Sequence, residues 1–74
     1  MLNAVILLKV VPTKSDLVLD KLLKLDFVRK AYDTYGRFDI TVFVEVKDYP
    51  MMVEVTNNIN GLEGVRSTET LLEA

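Results

Sequence analysis

The chain of 74 residues contains no cysteine and no histidine. Without cysteine there is neither a disulfide nor a thiolate metal site. Without histidine it lacks the commonest transition-metal ligand and the commonest general base. No glycine-rich phosphate loop is present, and no pair of carboxylates stands out from a solvated surface. No metal or cofactor is therefore expected. Basic charge is scarce as well: nine Lys and Arg against eleven Asp and Glu give a net charge of −2. A nucleic-acid binder normally carries a basic patch, so direct nucleic-acid binding is not expected. The first apolar run, Ala4 to Leu8, is too short to span a bilayer. It also lacks the basic start and small-residue cleavage pattern of a secretory leader. The expectation is a soluble, cytoplasmic protein with no membrane partner. A domain this small buries little core and usually needs a disulfide, a metal or self-association. With the first two absent, self-association is the favoured support, and half of the residues are apolar.

Six elements follow one another without a linker, so the whole chain, 1–74, reads as one domain. Leu2 to Val11 is apolar on both alternating faces, as a covered central strand requires. Pro12 ends it. Thr13 with Asp16 three residues on has the form of a capping box, opening a helix from Ser15 to about Lys24. Val18, Leu22 and Leu25 form its apolar stripe. Phe27 to Tyr35 alternates poorly, as an edge strand or a bulged strand would. Tyr35-Gly36-Arg37-Phe38 reads as a hairpin turn. Phe38 to Val46 alternates cleanly: Phe38, Ile40, Val42, Val44 and Val46 on a core face, Asp39, Thr41, Phe43 and Glu45 on the other. Asp48 and Pro50 open a second helix with the stripe Met52, Val55, Ile59 and Leu62. Asn60-Gly61 stops it, and Gly64 to Leu72 is the last strand. The order βαββαβ predicts a ferredoxin-like α+β sandwich: a four-stranded antiparallel sheet with two helices on one face. Its other face, with Val5, Leu7 and Phe43, is left bare. That invites a two-fold dimer packed sheet to sheet.

One local segment has the chemistry of a ligand site. A glycine turn exposes backbone N–H groups that can hold a carboxylate. Asp39, just beyond Gly36, can accept from an ammonium group. A free amino acid offers both groups close together, and the hydroxyls of Thr68 and Thr70 could add contacts. The same residues also have a plain structural reading, in which Gly36 serves the turn and Asp39 is an exposed strand residue. Spacing alone leaves both open.

The run Ala31-Tyr32-Asp33-Thr34-Tyr35-Gly36-Arg37-Phe38-Asp39, followed by Ile40-Thr41-Val42-Phe43-Val44, resembles the G-x-aromatic-D hairpin of the Lrp/AsnC effector domain, or RAM domain. Gly64-Val65-Arg66-Ser67-Thr68-Glu69-Thr70 is similar to that family's closing strand, and the resemblance covers essentially the whole chain. It implies a non-catalytic, amino-acid-sensing and oligomerisation module. Its dimers would assemble into a larger ring such as an octamer, with a free amino acid bound between dimers. It further implies that Gly36, Arg37 and Phe38 offer backbone groups to the ligand carboxylate, that Asp39 takes the ammonium, and that Thr68 and Thr70 line the same cleft. Members resembling this chain carry an N-terminal helix-turn-helix, whereas here Met1 is followed at once by the first strand. The expectation is a stand-alone RAM protein, or an effector domain cut from a longer chain. Output on transcription or amino acid metabolism would pass through a partner, such as a full-length Lrp/AsnC regulator.

Other proteins of this architecture fit less well. An ACT domain places its ligand loop after the first strand, where Val11-Pro12-Thr13-Lys14 has no glycine. A small dimeric ferredoxin-like enzyme would usually place an acid or a histidine in a pocket between helix and sheet. An RNA-recognition domain needs aromatics on its central strands, and the first strand has none. A heavy-metal-binding domain needs the missing cysteine pair.

Overall fold

The computed structural model describes residues 1–73. The first apolar run forms β1, Leu2–Val10, with Ala4, Ile6, Leu8 and Val10 buried. The clean alternation further on forms β3, Ile40–Val46. The two strands pair antiparallel from Leu2 opposite Val46 to Leu8 opposite Ile40. Their even-numbered side chains therefore share one face, as a period of two requires. Beside β3 lies β2, Val28–Asp33, and on the far side of β1 lies β4, Val65–Leu72. The sheet order is β2-β3-β1-β4, with both helices on one face in a ferredoxin-like α+β arrangement.

Helix α1, Ser15–Leu23, buries Val18 and Leu22, and helix α2, Tyr49–Asn60, buries Met52, Val55 and Ile59. These side chains and the even positions of β1 and β3 form one core. Each fully buried aliphatic side chain contributes about 1.5–3 kcal/mol. Asp48 caps α2 as expected, its carboxylate accepting from the Met51 N–H at 3.0 Å, with Pro50 in the first turn. Among the described residues no helix is long and apolar enough to cross a membrane.

Three details differ from the sequence reading. The Thr13–Asp16 capping box does not form. Pro12–Lys14 makes a 3-10 turn, and Lys14 precedes α1 without a side-chain cap. Thr13 thus lies inside a helical turn instead of the extended backbone a capping residue needs. Phe38 lies outside β3, in the turn, half-buried and apart from the core. The irregularity of β2 has both proposed causes at once: β2 is an edge strand, and its register shifts between Val28 and Lys30.

β4 begins at a tight spot. Gly64 has φ +98°, and its carbonyl accepts from the Val11 N–H at 2.8 Å. A Cβ there would come within 2.8 Å of the Lys14 Cβ and 3.1 Å of a Val18 methyl. Gly36 has φ +116° but open space around it. Both positions favour glycine for backbone reasons, but only Gly64 adds a steric clash. Gly64→Ala is expected to destabilise by about 2–4 kcal/mol, combining left-handed strain and overpacking. Gly36→Ala is expected to cost only the strain, about 1–2 kcal/mol. Urea denaturation of the two variants side by side checks the difference.

Candidate functional site

The hairpin between β2 and β3 closes where the Thr34 N–H donates to the Asp39 carbonyl at 2.9 Å. The four residues between them, Tyr35 to Phe38, are the turn that the sequence indicated. Gly36 supplies the positive φ. The Thr34 hydroxyl donates to the Phe38 carbonyl at 3.1 Å and steadies the tip from inside. Gly36 and Arg37 are exposed, and Tyr35 is fully so. Among the described residues, no protein acceptor takes the amides of Gly36, Arg37 and Phe38. These donors face water or a ligand, which is the property an anion-binding turn needs.

Asp39 ties the hairpin to β1. Its N–H donates to the Leu8 carbonyl at 2.8 Å, and its carboxylate Oδ2 accepts from the Val10 N–H at 3.0 Å. The side chain thereby gives the Val10 N–H an acceptor beyond the point where the β1–β3 ladder ends, at Leu8 opposite Ile40. Asp39 is half-buried and precedes β3, so it is not the exposed strand residue of the plain structural reading. The Asp39 carboxylate thus has a structural partner at Oδ2, and among the described residues its other oxygen has no donor.

A cleft of about 310 Å³ opens beside the neck of the hairpin. Asp33, Thr34 and Asp39 line it together with Ser15 from the start of α1, and Tyr35 stands at its rim. Val10 and Pro12 supply apolar lining. The Ser15 hydroxyl donates to Asp33 Oδ1 at 3.3 Å across this space. Ser15, Asp33 and Thr34 were not singled out from the sequence. The signal was present in the segment itself, because Asp33 and Thr34 directly precede the turn and share a strand end with Asp39. Ser15 carried no such signal, since only the packing of α1 brings it there.

Thr68 and Thr70 lie elsewhere in the protomer. They sit on β4 opposite Leu8 and Ile6, with β1 between them and the hairpin strands. Two strand spacings put them about 10 Å from the β3 side. The Thr68 hydroxyl donates to the Asn60 Oδ1 at 2.7 Å, at the end of α2. One copy of the chain therefore brings Gly36, Arg37, Phe38 and Asp39 together and leaves the two threonines apart from them.

A second hollow, of about 590 Å³, lies on the sheet face away from the helices. Val5, Tyr32, Phe43 and Leu71 line it. Val5 pairs with Phe43 on one side and with Leu71 on the other, so these side chains form one apolar stripe across three strands. The rings of Tyr32 and Phe43 lie 6.0 Å apart at 32°. Arg29 and Glu45 form an ion pair between β2 and β3 on the same sheet. Leu71 in this stripe is 53% exposed.

Residues 3–72 match the family model described as the Lrp/AsnC ligand binding domain. Among solved structures, FFRP-DM1 superposes with a TM-score of 0.95 at 29% identity, over 100% of both chains. A Thermus thermophilus protein, TTHA0845, superposes with a TM-score of 0.94 at 31% identity, over 100% of this chain and 94% of that one. E. coli AsnC matches at 28% identity and a TM-score of 0.90, over 97% of this chain but only 50% of its own length. A search of curated proteins gives no match.

The bond from Val10 predicts a stability role for Asp39 whatever else it does. Asp39→Ala is expected to destabilise by about 1.5–3 kcal/mol, the range for hydrogen bonds to charged groups. Asp39→Asn, which keeps an acceptor, is expected to recover at least half of that. Chemical denaturation gives the energies, and hydrogen exchange at the Val10 amide reports the bond directly.

Proposed function

Because the chain belongs to the Lrp/AsnC ligand-binding domain family, we propose that it senses free amino acids and assembles around them, without transforming them. The family's domains are regulatory and generally non-catalytic, and in related regulators they bind amino acids. The observation that carries the reading is at the hairpin. Among the described residues, tip amides with no protein acceptor stand within a few residues of a carboxylate that has one oxygen without a donor. The first suits a ligand carboxylate, the second its ammonium, and the cleft beside them receives the side chain.

In this reading the domain works as an oligomer. The apolar stripe of Val5, Phe43 and Leu71 packs against its two-fold copy, which meets the need of a small core for added burial. Dimers then associate around the hairpin tips into a larger ring such as an octamer. Thr68 and Thr70 line the ligand cleft from a neighbouring copy, since their own hairpin lies across β1 from them. Gly36, Arg37 and Phe38 contribute through their backbone.

The mechanism is linkage. A ligand held between dimers favours the assembly that forms its cleft, by no more than its differential affinity for the two states. The domain's output passes through a partner protein, such as a full-length regulator of the same family in mixed rings.

Light scattering on the purified protein, with and without a mixture of the twenty amino acids, tests this. The expected result is a particle larger than a dimer whose size or melting temperature responds to the mixture. At a hundredfold excess over Kd a ligand stabilises by about 2.7 kcal/mol. That corresponds to a rise of roughly 10–20 °C for a domain of this size. Phe43→Lys, which places a charge in the middle of the stripe, is expected to yield monomers. A monomeric wild-type chain indifferent to every amino acid would refute both halves of the reading.

A further inference from the structure

We propose that Asp33 sets the class of ligand the cleft accepts: amino acids with neutral or cationic side chains, to the exclusion of acidic ones. This rests on the reading that the cleft beside the hairpin holds an amino acid, and it adds which amino acids and why. In that reading the two groups common to all amino acids are met by the tip amides, which lie beside the cleft, and by Asp39, which lines it. What remains of the cleft faces the side chain, and the charged group there is Asp33.

Asp33 ends β2 opposite Ile40. Its Oδ1 receives the Ser15 hydroxyl at 3.3 Å, and among the described residues its Oδ2 has no donor. Among the described residues no lysine or arginine lines the cleft to offset it. Lys14, the nearest cation in sequence to Ser15, is turned to Glu63 at 3.4 Å. Arg37 lies out on the exposed tip. Apart from Asp39, the remaining lining of Val10, Pro12, Ser15, Thr34 and Tyr35 carries no formal charge. An amide, ammonium or guanidinium side chain therefore finds acceptors in this space. A second carboxylate meets one of its own sign.

At about 310 Å³ the cleft is at the small end of ligand pockets but is open, so volume alone does not sort one amino acid from another. Charge does. Two like charges roughly 5 Å apart reduce affinity about fourfold in bulk water and over a hundredfold at an effective dielectric of ~20. Asp33 is exposed, which places the effect toward the lower end, on the order of tenfold.

The test is calorimetric titration of the full chain with the twenty amino acids one by one. Asp33→Asn is compared with Glu54→Gln, which removes the same charge from the exposed side of α2. Wild type is expected to bind neutral or cationic amino acids and to take Glu and Asp about tenfold more weakly than Gln and Asn, or not at all. Asp33→Asn is expected to raise affinity for Glu or Asp by about tenfold, and Glu54→Gln to leave the ranking as it was. Acidic amino acids binding wild type as well as their amides would overturn the proposal. So would an Asp33→Asn chain that gains nothing for them. In both cases the sensor reading survives. Absence of binding by any amino acid would instead remove the sensor reading and this proposal together.

Discussion

β1 is the strand on which the rest of the molecule depends. It pairs with β3 on one side and β4 on the other, and Ile6 and Leu8, both fully buried, sit in the middle of the core. Both of its faces are apolar, and only one is covered by helices. The covered face organises the fold. The other face, through Val5, gathers Phe43 and Leu71 into one apolar stripe. The end of β1 matters as much as its middle. There Val10 donates to the carboxylate of Asp39 and Val11 to the carbonyl of Gly64. The hairpin and the last strand are thus hung from adjacent residues of a single strand terminus.

Much of this was legible in the sequence because it rests on periodicity and on strong local punctuation. The period-two pattern of Ile40, Val42, Val44 and Val46, the Asp48-Pro50 start of α2 and the glycine at the hairpin all act over a few residues, and they fold as they read. The failures have a common cause. Thr13 had the spacing of a cap, but Pro12 set a 3-10 turn through it. Phe38 had the parity of a core residue, but the strand starts two residues later because the Thr34–Asp39 bond closes the turn first. In each case a neighbouring constraint outranked the pattern.

The candidate site divides along the same line. Gly36 to Asp39 are contiguous, so the sequence could present them as a unit. Ser15 joins them only through the packing of α1, and Val10 only through the β1–β3 ladder. Thr68 and Thr70 were grouped with the hairpin by their hydroxyls and by resemblance, yet in one protomer they lie on the far side of β1, with Thr68 bonded to Asn60. Asp39 is the instructive case. Its sequence neighbourhood suggested a ligand group, and the fold gives it a backbone partner as well. A residue that secures the neck of the hairpin also fixes where its tip lies.

The bulge in β2 has a consequence for the way this sheet can fail. A strand that is open on one side is a template on which another chain can polymerise, and a regular ladder invites runaway growth. In β2 the register slips between Val28 and Lys30, and Arg29, within the slip, is held by Glu45. An incoming strand would find donors and acceptors out of step and two cationic side chains at the joint. The same irregularity that obscured β2 in the sequence acts as a safeguard against fibrous aggregation along that edge.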